Sequence, residues 1–555
     1  MTRSIDQRSD RHVTEMAALD PLSATFAGIP GHDHELPDLS PDGHAAREQL
    51  QRDALADVSA LTPTDDREAV ARDAFRERVG LEVEMVDAGV VRSEVSVIGS
   101  AAHGLRECFD LMATETDEDW DAVEARLAGI PRALEDYRTT LREEAAAGHV
   151  VARRQYLEVA EQVKGWTGET GSAGDFFGAF VAHAPEQRRT RLQERAAAAS
   201  AAFADFGRFL VADLAPQGRE TDAVGRDHYA LASRYFLGAA VDLEETYRWG
   251  WEELARLVAE QRRTAEEIKP GASIAEAVQH LDDDPANWLG VDAFRDWMQQ
   301  TSDRTLAELA RTHFDVPDEI RTLECCIAPT NDGGVYYTGP TEDFSRPGQM
   351  WFSFAEGFDA RTPWRELTTV FHEGVPGHHL QVGQAVAQAD TLNRWQRLMC
   401  WVSGHGEGWA LYAERLMDEL GWFADPADRM GFLDMQAFRA ARVIVDIGLH
   451  LQLRVPDPNP FGFHPGETWT PDLVAAFMRQ HSSMDDGQLA FEVNRYLGWP
   501  GQAPSYKVGE RIWLEARADA ERRHGADFDL RAFHRSALDL GALGLDPLRD
   551  ALARL

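Results

Sequence analysis

The segment FHEGVPGHHLQ, residues 371–381, carries the side chains best suited to chemistry. His372 and Glu373 are adjacent, and two further imidazoles follow at His378 and His379. A catalytic zinc site needs neutral imidazoles, usually one carboxylate, and a coordination position left open for water. A glutamate beside the first ligand is placed to act as the base that takes a proton from that water. These residue types indicate a zinc-dependent hydrolase.

The spacing of the histidines departs from the usual zinc-peptidase helix, in which the second histidine follows the first by four residues. Pro376 occupies that position. In a regular helix His378 would point about 240° away from His372, and His379 would share its face about 10 Å along the axis. Pro376 and Gly377 allow a two-residue bulge that would bring a late histidine to the metal. Histidines at a surface helix end, or clustered in a core, are the alternatives.

A second segment, residues 404–422, offers carboxylates. Its sequence, GHGEGWALYAERLMDELGW, predicts an amphipathic helix that Glu407 opens. The apolar face comprises Trp409, Ala413, Leu416 and Leu420. Glu407 is placed to be the third ligand, and Glu414, seven residues on, would orient a ligand from the outer shell. Alternatively, Glu407 is an acid favoured by the helix dipole. His405 is a weaker ligand candidate.

Composition and charge disfavour several other classes of protein. The 555 residues are 44% hydrophobic and 27% charged, which is typical of a globular enzyme. The formal net charge of −38 disfavours nucleic acid and anionic membranes as partners. No apolar run approaches the ~20 residues of a membrane span, and the polar first residues do not resemble a signal peptide, so we expect a cytoplasmic protein. Four cysteines without paired spacing predict reduced thiols.

Helices must position most of these side chains. Residues 1–320 are mostly helical in pattern, with long stretches at 188–216 and 242–271 that are rich in helix-forming residues. From residue 321 turn clusters at 331–334 and 346–348 separate short apolar runs, which predicts a small sheet. We therefore expect one large, mainly α domain over 1–555, with a helical lobe at 1–320 and the sheet and metal-site helices at 321–555.

The predicted metal helix follows that sheet. Residues 349–354 are predicted to form one strand, and a helix starts where Thr362 can cap and Pro363 can take the first helical position. Its buried face comprises Trp364, Leu367, Val370 and Phe371. His372 and Glu373 are thus expected near the end of a helix that follows a strand.

Three motifs, HEGVPGHHLQ, EGWALYAERL and PGQAPSYKVGERI, occur in this order, accompanied by DPLSATFAGIPGHDHELPDLS, NDGGVYYTGP and ARVIVDIGLH. Because of these motifs the chain resembles the mostly bacterial family known as domain of unknown function 885, and the resemblance covers nearly the whole chain. That family is similar to the helical gluzincin peptidases, which include angiotensin-converting enzyme, the oligopeptidases and the thermostable metallocarboxypeptidases. The resemblance implies a mainly helical, two-lobed fold with a deep channel and a small β-sheet beside the zinc helix.

The resemblance also implies roles for the candidate residues. It makes His372 the first ligand, Glu373 the base and Glu407 the third ligand. A glycine followed by His378 matches the Gly-His pair of the peptidases, so His378 is the expected second ligand. His379 is then expected to turn away, towards packing or the outer shell. The chain departs from the peptidase pattern by two extra residues between the histidines.

Other residues are candidates for contacts with the substrate. The resemblance places Tyr506 and Lys507 where related peptidases keep groups that hold the oxyanion or the substrate carboxylate. Lys507 or Arg511 would pair with a peptide C-terminus. A core tyrosine and a solvated basic face are the alternatives. His450 is either a second proton donor or a buried, satisfied histidine, and Tyr337 is expected to line the channel.

Together these residues predict an activity. The chain is expected to bind Zn²⁺ and to hydrolyse short peptides, or another small amide or ester, in a channel that excludes folded proteins. The substrate backbone is expected to pair with the strand at 349–354. The alternative is a protein that binds peptides or metabolites without catalysis, although binding alone does not require Glu373.

Overall fold

The computed structural model describes residues 3–170, 174–328, 334–354, 357 and 359–554. Within these residues the chain is mainly helical with small sheets, which confirms the predicted fold class. The turn predicted at 331–334 lies outside the described residues except for Gly334.

The helices fall into two groups, before and after the strands of the main sheet. The first group is α1 (Ser4–Leu19), α2 (Pro21–Phe26), α3 (Pro41–Ala60), α4 (Asp66–Asp87), α5 (Val90–Ser93), α6 (Ala101–Glu107), α7 (Asp117–Ala147), α8 (Arg153–Trp166), α9 (Phe176–Val181), α10 (Glu186–Phe209), α11 (Arg226–Leu237), α12 (Leu243–Ile268), α13 (Ile274–Asp282) and α14 (Val291–Thr312). The second group is α15 (Pro363–Glu373), α16 (His378–Ala387), α17 (Arg394–Leu398), α18 (Ser403–Glu419), α19 (Pro426–His450), α20 (Pro471–Gln480), α21 (Asp486–Gly498), α22 (Ser505–His524), α23 (Leu530–Leu538) and α24 (Leu545–Ala553). Short 3-10 helices lie at Cys108–Leu111, Ala215–Gln217, Pro285–Asn287, Asp318–Ile320 and Gly525–Asp527.

The two long helical stretches predicted from composition are α10 and α12. The first of them ends as an α-helix at Phe209 and continues as a π-helical turn over Leu210–Leu214 before the chain reaches Pro216. The second ends at Ile268, just before the predicted Lys-Pro-Gly stop.

The strands form two small sheets. They are β1 (Leu289–Gly290), β2 (Leu323–Ile327), β3 (Val335–Thr338), β4 (Gly348–Phe352) and β5 (Ala360–Arg361). β1 pairs antiparallel with β5, and the other sheet has the order β2–β4–β3, with β2 parallel and β3 antiparallel to β4. The strand predicted at 349–354 is β4, which ends at Phe352. Because β4 is paired on both edges, the expectation that a substrate adds to this strand is wrong.

The hydrophobic core has one main cluster and a second cluster towards the N-terminal side. The main cluster combines residues of α1, α3 and α4 with residues of α12 and of the helices that follow the sheet. The second cluster is formed mainly by α6–α10. The main core therefore crosses position 320, and the division into lobes at that position stays a prediction.

Two other expectations concern thiols and membrane spans. Cys108, Cys325, Cys326 and Cys400 are all free thiols, as their spacing predicted. Among the described residues, none of the helices combines the length and the apolarity that a membrane span requires.

Helices α18 and α22, which carry Glu407 and Tyr506, approach each other through glycines. A Cβ atom at Gly408 would lie 2.5 Å from the backbone carbonyl carbon of Gly509. A Cβ at Gly509 would in turn clash with the backbone of Gly404. Side chains at these positions would push the two helices apart, so the distance between them depends on glycine.

We expect Gly408→Ala to lower the free energy of unfolding by about 1–3 kcal/mol, because overpacking forces backbone shifts. Gly80 in α4 is the matched control, since an added Cβ there meets no atom within 4 Å. Gly80→Ala should be neutral or stabilise by up to about 1 kcal/mol, as alanine favours a helix interior. Chemical denaturation followed by circular dichroism measures both, and equal effects of the two changes would contradict the close approach.

Candidate metal centre

Helix α15 delivers the first two functional side chains. It begins at Pro363, whose fixed φ suits the first helical position, and ends at Glu373. The four residues of its predicted apolar face, Trp364, Leu367, Val370 and Phe371, are all buried. Thr362 occupies the N-cap position, but its side chain makes no capping hydrogen bond, contrary to the prediction. His372 and Glu373 thus stand at the C-terminal end of a helix that is anchored in the core.

A short turn follows, and α16 starts at His378. The amide of Gly377 donates to the Phe371 carbonyl at 3.1 Å, which folds the turn back onto the end of α15. A Cβ at Gly377 would lie 2.5 Å from that same oxygen, so the position requires glycine. From α18, the indole of Trp409 donates to the Pro376 carbonyl at 2.8 Å. The helix is broken here, as predicted, but two helices joined by a turn replace the predicted bulge.

The turn brings His378 beside His372, with ring centres 4.8 Å apart and planes nearly perpendicular. Both rings direct Nε2 at one oxygen of Glu407: the distances to Oε2 are 3.2 Å from His372 and 3.4 Å from His378. One ligand atom from each residue lies within 4.8 Å of the other two. Glu407 lies one turn inside α18, which begins at Ser403, and so is not the helix-start acid of the alternative interpretation.

Glu414, also on α18, orients one of these rings. Its Oε1 lies 2.7 Å from Nδ1 of His372. Its Oε2 accepts hydrogen bonds from the hydroxyl of Thr368 at 2.7 Å and from the amide of Gln436 at 3.2 Å. An imidazole that donates from Nδ1 to a carboxylate presents a lone pair at Nε2, which is the tautomer that binds metal. Glu414 therefore lies where an outer-shell partner of a ligand would lie.

The close charges shift the pKa values of the cluster. Burial lowers the pKa of His372, but hydrogen bonds with Glu407 and Glu414 outweigh it and raise that pKa to about 9. Burial raises the pKa of Glu407, yet the charges and hydrogen bonds of His378 and His372 hold it well below its usual value. Two imidazole nitrogens that face one carboxylate oxygen favour a positive charge between them. A proton or a metal cation supplies that charge.

The cluster forms part of the wall of a cavity of about 1160 Å³. Residues of the main sheet and of α15, α18, α19, α21 and α22 contribute to this wall. Glu373 lies on it beside the ligands, and its carboxylate makes no hydrogen bond with any described residue. Burial raises the pKa of Glu373, although the neighbouring histidines oppose this. A carboxylate with a raised pKa and no fixed partner is suited to accept a proton from a water molecule.

Tyr506 lines the same cavity from the first turn of α22. Its ring is stacked on that of His372, with centres 6.3 Å apart. Its hydroxyl accepts a hydrogen bond from Nη2 of Arg495 at 3.4 Å. Burial raises the pKa of Tyr506, so the phenol keeps its proton and can donate it in a hydrogen bond.

His379, the neighbour of the second histidine, has other partners. Its Nδ1 lies 3.1 Å from the hydroxyl of Tyr337, and its Nε2 lies 2.8 Å from the carbonyl oxygen of Ile320. Both ring nitrogens are thus engaged away from Glu407. Tyr337 lines the cavity, as expected, and the contact of its hydroxyl with Nδ1 holds the His379 ring in place.

Two basic candidates for substrate binding lie away from the cavity. Lys507 is fully buried and pairs with Glu253 at 3.1 Å and with Glu510. Arg511 pairs with Glu245 at 3.0 Å. Consecutive helical residues point about 100° apart, so a helix that turns Tyr506 towards the cavity turns Lys507 into its contacts with other helices. The expectation that these two bind a substrate carboxylate is wrong.

Two further histidines also lie outside the cavity. Nε2 of His450 lies 2.9 Å from the carbonyl oxygen of Tyr496, and His450 is fully buried. Nδ1 of His405 lies 2.9 Å from the carbonyl oxygen of Leu543. His450 is buried, as one interpretation expects, but among the described residues only its Nε2 has a hydrogen-bond partner; because it does not line the cavity, the structure does not support a role as proton donor in the site.

None of the arginines of the cavity wall was predicted from the sequence, among them Arg439, Arg442 and Arg495. The first two lie in the segment AFRAARVIVDI, residues 437–447 of α19. Two arginines spaced three residues apart in an otherwise apolar helix are the signal that could have identified them. Charged side chains on a buried helix face need a partner or a ligand.

The fold and the site together define a helical protein with a buried group of two histidines and a glutamate that can hold a cation. The chain belongs to the family described as "Bacterial protein of unknown function (DUF885)", whose model matches residues 21–552. This confirms the predicted family. No curated protein matches the chain.

Several solved chains share the fold. One is described as "the putative lipoprotein from Colwellia psychrerythraea"; it is 20% identical, with a TM-score of 0.83, over 99% of this chain and 98% of that one. Another, "a putative lipoprotein of unknown function from Shewanella oneidensis", is 17% identical, with a TM-score of 0.72, over 100% of both chains. At these identities the likeness shows the fold alone.

We expect His378→Ala to abolish tight zinc binding and His379→Ala to retain it, because both nitrogens of His379 are engaged elsewhere. Mass spectrometry of the metal content after zinc loading and desalting measures the difference, and circular dichroism verifies that both variants fold. Loss of zinc only in the His379 variant would show that the second ligand is His379. Loss in neither variant would place the metal elsewhere.

Proposed function

We propose that the protein is a zinc-dependent hydrolase, a peptidase of short peptides. One observation carries the proposal: His372, His378 and Glu407 converge on one point of a cavity wall, and Glu373 lies beside them without a hydrogen-bond partner among the described residues. Ligands alone would serve a structural or storage site. A base next to them, facing a cavity, is the arrangement that hydrolysis requires.

The donors fit zinc. Atoms bound to one tetrahedral zinc ion at about 2.0–2.1 Å lie roughly 3.3–3.4 Å apart. The two Nε2 atoms lie 3.2 and 3.4 Å from Oε2 of Glu407, which is close to that spacing. Two imidazoles and one carboxylate are a ligand set of catalytic zinc sites, and the bond of His372 to Glu414 is the outer-shell contact such sites have. Bound zinc would polarise a carbonyl and lower the pKa of a water molecule towards ~7.

The residues of the chain would move the protons. Glu373 would accept a proton from the attacking water and return it to the leaving amine, and burial holds its pKa above the usual value, which suits both steps. The phenol of Tyr506 would donate a hydrogen bond to the oxygen that gains negative charge in the transition state. The contact of Arg495 with the Tyr506 hydroxyl would hold the phenol in place.

The substrate class follows from the cavity and from the resemblance to the helical peptidases. A volume of about 1160 Å³ accommodates a short peptide and excludes a folded domain. Because β4 is paired on both edges, a substrate would not add to this strand, and recognition would depend on the side chains of the wall and on β3, the edge strand that lines the cavity. The similarity to gluzincin peptidases, including a channel between two lobes, is part of this proposal.

The location in the cell is also a proposal. The free cysteines are compatible with the cytoplasm, which is the predicted location. The Colwellia and Shewanella proteins are each described as a "putative lipoprotein", which would favour a lipid anchor outside the cytoplasm if it held for this chain. Fractionation of cells that express the native gene distinguishes the two locations.

We expect Glu373→Gln to bind zinc as the wild type does and to lower kcat by about 10²–10⁴-fold, because a general base contributes this much. Glu366→Gln is the matched control: Glu366 lies on the same helix and lines the same cavity, but it pairs with Arg361 at 3.3 Å. This control should change kcat by less than about tenfold, since it removes only a partly exposed ion pair.

Hydrolysis of a library of short peptides, with zinc content measured in parallel, gives the readout. Full activity of the Glu373 variant would contradict the mechanism. Wild-type protein that binds zinc and peptides but hydrolyses neither peptides nor other small amides or esters would favour the non-catalytic alternative.

A further inference from the structure

The arginines that line the cavity differ in whether they form an ion pair. Among the described residues of the wall, most arginines are paired with a carboxylate. The pairs are Arg361–Glu366, Arg365–Asp282, Arg442–Glu492 and Arg495–Glu492. Arg439 lines the same wall and makes no ion pair with any described residue. The charges of Glu414 and Glu373 act on it, but no carboxylate of the described residues lies within ion-pair distance, so its hydrogen-bond donors can bind a ligand.

Arg439 is also poor in hydrogen bonds. Only 6% of the residue is exposed. Its Nη1 donates to the carbonyl of Met435 at 3.4 Å, a long bond within the same helix, and its Nε is buried without a partner in the described part of the chain. A buried guanidinium with unused donors carries a desolvation cost that a bound anion would offset. Such a group is expected where a ligand brings negative charge.

The position of Arg439 connects it to the metal cluster. Its guanidinium carbon lies 5.7 Å from the centre of the Tyr506 ring. The same ring is stacked on His372, with centres 6.3 Å apart. A molecule bound by Arg439 would therefore lie close to the metal-binding residues and to Glu373, in the same cavity.

The chemistry of the wall selects the kind of anion. A planar guanidinium matches a carboxylate, which it can bind through two parallel hydrogen bonds. The wall already holds the carboxylates of Glu373, Glu407 and Glu492, which repel a doubly charged phosphate more strongly than a singly charged carboxylate. A short peptide presents one such group at its C-terminus.

We propose that Arg439 binds the C-terminal carboxylate of a short peptide, so that the enzyme cleaves close to the C-terminus. The inference rests on the proposed hydrolase function and names its substrate class. It assigns to Arg439 the role that the sequence suggested for Lys507 and Arg511, both of which are paired elsewhere.

Paired peptides test this assignment. Each pair has the same sequence and a blocked N-terminus, with either a free C-terminal acid or a C-terminal amide. Wild-type protein should prefer the acid by roughly 10- to 100-fold in kcat/KM, the usual effect of a charge-assisted hydrogen-bonded pair. Arg439→Gln should lose this preference by losing activity on the acid alone, and Arg439→Lys should recover part of it.

Arg365→Gln is the matched control, because Arg365 lines the same cavity but is paired with Asp282 at 2.6 Å. It should keep the preference for the acid. A variant that is merely misfolded would lose activity on acid and amide alike, so the ratio separates recognition from stability. An acid preference that survives in Arg439→Gln, or no preference in the wild type, would overturn the assignment.

Calorimetric binding of the same peptides to zinc-loaded protein separates this proposal from the proposed function. The acid should bind more tightly than the amide to the wild type or to Glu373→Gln, and equally to variants that lack Arg439. If this difference appears without any hydrolysis, the proposed catalytic function fails and the role of Arg439 stands. If Glu373-dependent hydrolysis appears without a difference in binding or rate, the role of Arg439 fails and the hydrolase stands.

Discussion

The turn between α15 and α16 is the constraint on which the candidate site depends. Without it His372 and His378 would point in different directions along one helix. The turn is compact because Gly377 lets the backbone lie against the end of α15, and it is fixed because Trp409 bonds to the carbonyl of Pro376. Trp409 lies two residues after Glu407 on α18. The helix that supplies the third donor therefore also holds the turn that positions the second.

A buried polar network supports this arrangement. Glu414 bonds to His372 on one side and to the amide of Gln436 on the other. The side-chain oxygen of Gln436 accepts a hydrogen bond from Lys507. The network thus joins α15, α18, α19 and α22 through groups that each have a partner, and a buried charge is tolerated only under that condition. Lys507 acts here at a distance from the cavity, as a support for the orientation of His372.

The sequence predicted the site better than it predicted the surroundings. His372, Glu407 and Glu414 could be selected from residue type and position, whereas the choice of His378 over His379 depended on the Gly-His match to the helical peptidases. The strand near residue 350 was also identified, but its central place in the sheet depends on pairing with distant β2 and β3, which local patterns do not encode. For other residues, the direction in which the side chain points from its helix determined whether the prediction was correct.

The basic residues illustrate that limit. Tyr506, Lys507 and Arg511 lie within two turns of α22, and only Tyr506 faces the cavity. Successive side chains on a helix point about 100° apart, and the packing of α22 against α12 and α18 determines which of them faces the cavity. Arg439 was overlooked because an arginine in an apolar helix reveals a need for a partner but not its identity. The structure was needed to show that no carboxylate of the described chain forms an ion pair with Arg439, which leaves a bound anion as its partner.

X-ray absorption spectroscopy at the zinc edge, on protein loaded with zinc and freed of excess metal, tests the central claim most directly. Two imidazole ligands are expected at about 2.0–2.1 Å, completed by oxygen and without sulfur. In His378→Ala the spectrum should show no more than one imidazole, or no bound zinc. A fully hydrated ion, a sulfur ligand, or two imidazoles that persist in His378→Ala would contradict the assignment of His372, His378 and Glu407 as the metal site.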